Sequence, residues 1–412
     1  MIDNLLPFLM LGILIAAVLS KPLSKQNLVP MPVALVLIGF ISSEIWVSLG
    51  QDTGLRWEIL RDLVFYLLLP VLIFESSINM DVRSLRREGL LVFSLAVPLL
   101  IVASLISAAV IYFLIGDMFG NAWSLAILCG VIICSTDPTT VGTIMGKTNS
   151  PKRVIKILEG ESLINDATTI TLFVMISSVL TLSGYEFDAY EMVSQFLLVL
   201  LGSLLVGMFL GWLFNLMLEP LDDDVLTTSL TLVLAFISFW VGEHILGWSG
   251  VLATLSAGLT IAWQQRRKHD DQDVAFALGS WRTLGFLADA MLFFLVGMSI
   301  TIEMFQSHWM AMLVGILAGM ISRAVIIYFG AGPLSLLPRQ RRLSLGDQNL
   351  LFWGGIRGAV AIALALSLSV DIPYWYTIQS TVYGVALASL VFQPPLLSVL
   401  AQRKSASASQ EV

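Results

Sequence analysis

The sequence predicts an all-α, polytopic membrane protein with about thirteen transmembrane helices, and three observations carry that prediction. Hydrophobic residues make up 57% of the 412 and charged residues only 12%, with a mean hydropathy of +0.88. That balance excludes a water-soluble globule. Apolar runs long enough to cross about 30 Å of hydrocarbon recur from end to end, without the alternating segments of about ten residues that a β-barrel needs. Lys and Arg, finally, gather in every second loop.

In chain order the first three spans are Leu5–Ser20, Met31–Leu49 and Ile59–Ser77, plain apolar runs divided by short polar loops. Leu90–Ile115 follows the basic turn holding Arg83, Arg86 and Arg87. Ala122–Met145 is apolar but interrupted by Ser135-Thr136-Asp137-Pro138, where Pro138 removes a backbone donor and disfavours helix at Asp137. Leu158–Leu182 opens with the polar stretch Glu159 to Thr169. Phe196–Leu218, Leu226–Leu246 and Val251–Gln264 come next, the last two parted by His244–Gly250, which reads as a loop or a kink. Trp281–Ile300, Trp309–Phe329, Leu350–Ser369 and Thr377–Leu400 complete the set, with glycines around Arg357 loosening the twelfth.

Residues 1–182 read as a first repeat, 183–225 as a linker helix, 226–400 as a second repeat and 401–412 as a short cytoplasmic tail. The interrupted fifth and twelfth spans then correspond, and an odd number of spans between copies inverts the second. Paired broken spans of this kind mark the binding site of secondary transporters built from two inverted repeats. Span order alone carries the symmetry, since no residue-level repeat is visible.

With the N-terminus outside, internal loops hold Lys21, Lys25, Arg83, Arg86, Arg87, Lys147, Lys152, Arg153, Lys156 and the Arg266–Lys268 and Arg339–Arg342 clusters. External loops hold Arg56 and Arg61. The positive-inside rule therefore predicts a multi-pass protein of the cell membrane, N-terminus out and C-terminus cytoplasmic. The first span has no basic residues before it, so it does not read as a cleaved signal. The net charge of −7 says little about partners in such a chain, and without a basic stripe no nucleic-acid partner is expected. Cys129 and Cys134 are separated by about 7.5 Å of helical rise, too far for a disulfide. His244, His269 and His308 show no metal-ligand spacing, so metal catalysis is not expected, nor is a cofactor.

The chemistry lies in charges within the spans: Glu75, Asp137, Glu161, Asp166, Asp289, Arg323 and Arg357. Each costs on the order of 2.5–3.5 kcal/mol to insert, so such groups usually mark an ion or proton pathway. At about 100° per residue, Glu161, Asn165, Thr169, Ser162 and Asp166 share an arc of about 140° on one helix. Polar glue between helices accounts for a lone Ser or Thr, but poorly for this set. Glu75, Asp137, Asp166, Arg323 and Arg357 all fall between the bilayer middle and its cytoplasmic side. Irregular backbone at that depth must line a cavity or be buried in protein.

Ser135-Thr136-Asp137-Pro138, Gly160-Glu161-Ser162-Leu163-Ile164-Asn165-Asp166 and Trp353-Gly354-Gly355-Ile356-Arg357-Gly358-Ala359-Val360 resemble the signatures of the cation:proton antiporter-1 family. The nearest likeness is to bacterial NhaP-type sodium/proton antiporters. Pro70 to Glu75 with Asn79-Met80-Asp81, and Phe293 to Met298, are also similar. The resemblance runs through nearly the whole chain and implies an NhaA-like antiporter fold, a homodimer, and spans four to six with eleven to thirteen as a core moving like an elevator. It implies Asp166 as the shared ion and proton carrier, with Ser162, the Thr136 carbonyl and Glu75 completing the Na+ site. Asn165 and Asp137 would steady the broken helices, Glu161 would pair with Arg323, and Arg357 would sit near the cytoplasmic funnel. Asp289 matches no family position.

On this reading a carboxylate with hydroxyl and carbonyl oxygens suits a hard alkali cation. Arg323 cancels Glu161 and half-helix ends offset Asp137, so one unbalanced carboxylate predicts electroneutral exchange of one cation per proton. Alternatives are K+/H+ exchange, a cation channel, or an intramembrane aspartyl protease using Asp137 and Asp166 as a dyad. The chain lacks the Tyr-Asp and Gly-x-Gly-Asp contexts of such proteases and any pore-loop signature.

Overall fold

A computed structural model describes residues 31–50, 57–137, 151–181, 189–219, 223–268, 274–337 and 341–410, with single positions at 10, 12, 14, 15, 18, 141, 142 and 145. Most of the first span, Pro138, and the loop cations Lys21, Lys25, Arg56, Lys147 and Arg339 lie outside the described residues. Regular structure within them is entirely helical.

Helix α1 is Met31–Ser48. Helix α2 runs Trp57–Leu63, passes through a π-helical turn at Val64–Leu68 and ends as Leu69–Asn79. The short α3, Val82–Arg87, carries the basic turn. In α4, Gly89–Ala96 and Pro98–Ile115 meet at Val97, where Pro98 breaks the ladder. Then come α5 (Trp123–Cys134), α6 (Lys152–Thr181), α7 (Ala189–Leu218), α8 (Asp224–Trp240 with a π turn Val241–Ile245) and α9 (Gly250–Lys268). Helix α10 is Val274–Ser299, and α11 is Ile302–Ala324 continuing through Val325–Ala331. The two halves of the twelfth span are α12 (Leu345–Trp353) and α13 (Ala359–Leu366), and α14 is Trp375–Gln410.

Eight helices among the described residues are long and apolar enough to cross a membrane: α1, α4, α6, α7, α8, α10, α11 and α14. Both expected interruptions are present. The chain is extended at Ser135–Asp137 after α5, and non-helical from Gly355 to Gly358 between α12 and α13. The segment after His244 is a loop and not a kink, turning at Gly247 with φ +63°, a conformation glycine adopts without steric cost. Helix α6 begins six residues before the apolar run and α14 continues ten beyond Leu400, because Lys152, Arg153, Lys156, Arg403 and Lys404 favour helix without being apolar.

Local signals fix the helix starts. Asp223 accepts from the backbone N–H groups of Val225 and Leu226 at 2.8 and 2.9 Å, which explains an acidic cluster at the head of α8. Ser344 and Asp347 form a reciprocal capping box on α12.

The helices pack as two groups. One joins α1 to α10, α7 to α9, α8 to α9 and α2 to both α9 and α10. Small residues allow the close approach: a Cβ at Gly39 of α1 would lie 3.1 Å from the Gly297 Cα of α10. The other group joins α4 to α5, α6 and α11, α11 to α14, and α13 to α14. The two broken segments lie inside this second group, and α10 touches it at α13.

Candidate ion-binding site

The break after α5 leaves carbonyls without helical partners, and the polar face of α6 supplies donors for them. Asn165 Nδ2 donates to the Cys134 carbonyl at 3.2 Å and approaches Thr136 Oγ1 at 3.4 Å, while Thr169 Oγ1 donates to Asn165 Oδ1 at 3.0 Å. Ser162 Oγ donates to the Thr136 carbonyl. Ser135 Oγ donates to Asp166 Oδ1 at 2.6 Å. Asp166 is only 6% exposed. One turn of α6 therefore faces the extended segment with a carboxylate, a hydroxyl and a carboxamide, and the segment answers with a carbonyl and a second hydroxyl. These are the oxygen donors a hard, singly charged cation needs.

The two broken spans cross and hold each other. Asp137 N–H donates to the Ile356 carbonyl at 2.7 Å. Arg357 Nη1 donates to the carbonyls of Cys134 at 2.6 Å and Ser135 at 3.3 Å, placing a cation on the negative end of α5. The Asp137 side chain lies against Gly358, the N-cap of α13, where a Cβ would fall 2.6 Å from its Cγ. The acid of the fifth span thus faces the positive end of a half-helix in the twelfth.

Glu161 and Arg323 form a bidentate ion pair buried to 1% and 4% side-chain exposure. Arg323 Nη2 also donates to the Leu351 carbonyl at 2.9 Å, near the C-terminal end of α12. Gly355 makes the room: a Cβ there would sit 2.5 Å from Arg323 Nε.

The structure thus gathers Asp166, Ser162, Thr136, Asn165 and Asp137 at the crossing. Arg357 joins them there. It is 5% exposed and lies inside the crossing, where the end of α5 offers its guanidinium two carbonyl acceptors and Gly319 of α11 a third at 3.4 Å. Glu75 stands beside α10 instead, receiving Asn79 Nδ2 at 2.9 Å and packing where Gly285 has no side chain. Two residues without a role in the sequence reading belong here. Ser135 touches Asp166 directly. Asp289, half-buried on α10, lies within electrostatic reach of Glu75, Asp137 and Asp166. Cys129 and Cys134 are buried free thiols, as their spacing requires.

A membrane protein with two interrupted helices crossing beside a buried carboxylate is built as an ion transporter. The family described as sodium/hydrogen exchanger, transmembrane, matches residues 9–403, and the chain belongs to it. Members of that family are transporters and not enzymes. The Na+/H+ antiporter NhaS2 of Synechocystis is 30% identical over 393 residues, covering 95% of this chain and 68% of that protein. The Na+/H+ antiporter NhaH of Halobacillus dabanensis is 27% identical over 402 residues, covering 96% of both. The solved sodium proton antiporter MjNhaP1 of Methanocaldococcus jannaschii superposes with a TM-score of 0.82 at 19% identity, over 97% of this chain and 98% of that one.

Proposed function

We propose that the chain exchanges one Na+ for one H+ across the cell membrane, with Asp166 bound by turns to the cation and the proton. The observation that supports this most is Asp166 beside the Ser135 hydroxyl, within one turn of the Ser162–Thr136 pair, at the crossing of two broken helices. A single carboxylate that must give up its proton to take a cation couples the two fluxes. Relatives named as Na+/H+ antiporters favour sodium as the cation.

The ledger of charge favours an electroneutral cycle. Glu161 is matched by Arg323, and Asp137 and Arg357 are each set against a half-helix end. Asp166 is then the unmatched charge at the crossing itself. Glu75 and Asp289 belong to α2 and α10 in the other group, so they do not travel with it.

Thirteen spans in two inverted repeats, as in the NhaA-like fold, fit the two interrupted helices. The cation-rich loops favour an outer N-terminus and a cytoplasmic C-terminus. Alternating access would carry α4–α6 and α11–α14 past the other group as an elevator, within a homodimer. Dequenching of a trapped pH dye in proteoliposomes, titrated with Na+, K+ and Li+ at clamped membrane potentials, tests the reading. Sodium-driven proton movement independent of potential is expected. A response to potassium alone would make the cation K+, and a response to potential would end the electroneutral claim.

A further inference from the structure

Ser389 lies in the middle of α14, buried, and bonds differently from Ser380 and Thr381 on the same helix. Ser380 and Thr381 donate to the carbonyls four residues back, at 2.7 Å each, as serine and threonine in helices commonly do. Ser389 gives its single proton to Gln393 Oε1, one turn ahead, and turns its lone pairs outward. They accept the backbone N–H of Arg357 at 2.8 Å. Pro394 and Pro395 follow at once within the helix, and their missing N–H groups remove the ladder partners of Leu390 and Val391. The Ser389–Gln393 bond spans the start of this weakened turn.

What hangs from Ser389 is the crossing. Arg357 carries α5 through Cys134 and Ser135, and its neighbour Ile356 accepts the Asp137 N–H at 2.7 Å. Between those anchors lie the Ser135 hydroxyl on Asp166 and the Thr136 carbonyl on Ser162. A shift of the Arg357 backbone therefore moves two of the oxygens offered to the cation. Sub-ångström changes in such spacing decide affinity and selectivity among alkali ions.

We propose that Ser389, oriented by Gln393, is a positioning residue that sets the height of the crossing and thereby the cation affinity and selectivity of the Asp166 site. The proposal rests on Asp166 being the cation carrier. Loss of one hydrogen bond at the anchor scales to about a fivefold change in binding.

The test is KM and maximal rate for Na+, K+ and Li+ in proteoliposomes for Ser389→Ala, Ser389→Thr, Gln393→Leu and Asp166→Asn. Ser389→Ala and Gln393→Leu are expected to raise the sodium KM about fivefold and change the ratio among the three cations. Ser389→Thr, which keeps the hydroxyl, should restore both. A wild-type KM and cation ratio in Ser389→Ala would overturn the proposal, as would a fall in maximal rate alone matching the loss of folded protein. Should Ser389→Ala yield no protein, Gln393→Leu decides: an unchanged sodium KM there overturns it equally. Exchange retained in Asp166→Asn would instead overturn the carrier reading beneath it.

Discussion

Arg357 donates from Nη1 to the carbonyl of Cys134 at 2.6 Å, so the cation of one interrupted span closes the half-helix of the other. The reverse relation holds for Asp137, whose side chain rests on Gly358 at the head of α13. Each broken helix is therefore finished by a charge from its partner. Neither span could be interrupted at membrane depth without the other, because exposed carbonyls and a lone carboxylate would each be costly there.

The crossing predicts two substitutions. Arg357→Ala should destabilise by about 1.5–3 kcal/mol, the range for hydrogen bonds to a charged group. Gly358→Ala should cost about 1–3 kcal/mol by displacing Asp137. Melting followed with a thiol-reactive dye measures both, since Cys129 and Cys134 are buried free thiols. A wild-type melt in either variant would contradict the reciprocal arrangement.

Glu161 and Arg323 are buried together, so removing one strands the other. Arg323→Ala should cost about 3–5 kcal/mol, and the joint Glu161→Gln, Arg323→Gln variant less than the sum of its parts. The same melts around the cycle measure the coupling. Additive losses would mean the two side chains act independently.

How much of this the sequence made legible depended on what each residue contrasts with. Asp137 before Pro138, and glycines flanking Arg357, stand out in apolar runs, so both interruptions were visible. Asp166 and Asn165 stand out equally. The Glu161–Arg323 pair came from the family resemblance. The contacts of Arg357 with the end of α5 were not legible, because an arginine's reach is several ångströms and three-dimensional packing decides where its guanidinium ends. Ser135 stood within the visible interruption but was given no role, and Ser389 carried no signal, since a serine in a membrane helix usually bonds its own helix. The start of α6 and the end of α14 escaped hydropathy because the segments that extend them, around Lys152–Lys156 and Arg403–Lys404, are charged and helical at once.

Asp289 is the acid that family likeness left without a role. It sits half-buried on α10 within reach of Asp166, so its charge should draw the cation without binding it. Asp289→Asn is expected to raise the sodium KM roughly two- to fivefold while exchange persists, the effect of about 0.5–1 kcal/mol. Abolished exchange, in the same dye assay, would put a second carboxylate into the carrier.

At the polar head of α12, before the apolar run begins, Lys404 pairs with Asp347 inside the capping box. Burial alone would raise the Asp347 carboxyl, but Lys404 and the Ser344 hydrogen bonds outweigh it and hold it below its ordinary 3.8. An acid depressed by folding adds stability that is present above its unfolded pKa and is lost as pH falls through the folded one. The contribution is therefore intact at neutral pH and begins to be lost only below about pH 4, as pH falls towards the lowered folded value. Lys404→Met should destabilise the protein slightly at pH 7, by under about 1 kcal/mol, and by progressively less as pH is lowered into the acid range. A variant that melts with the wild type at pH 7 would show that the end of α14 is not latched to α12.

Competition at Asp166 is measured most directly in purified protein, without transport. Sodium added to the wild type in weakly buffered solution should release about one proton per protomer, since cation binding displaces the proton from a shared ligand. The Asp166→Asn protein should release none. Proton release that survives in Asp166→Asn, or sodium binding by the wild type without any, would contradict the account at its centre.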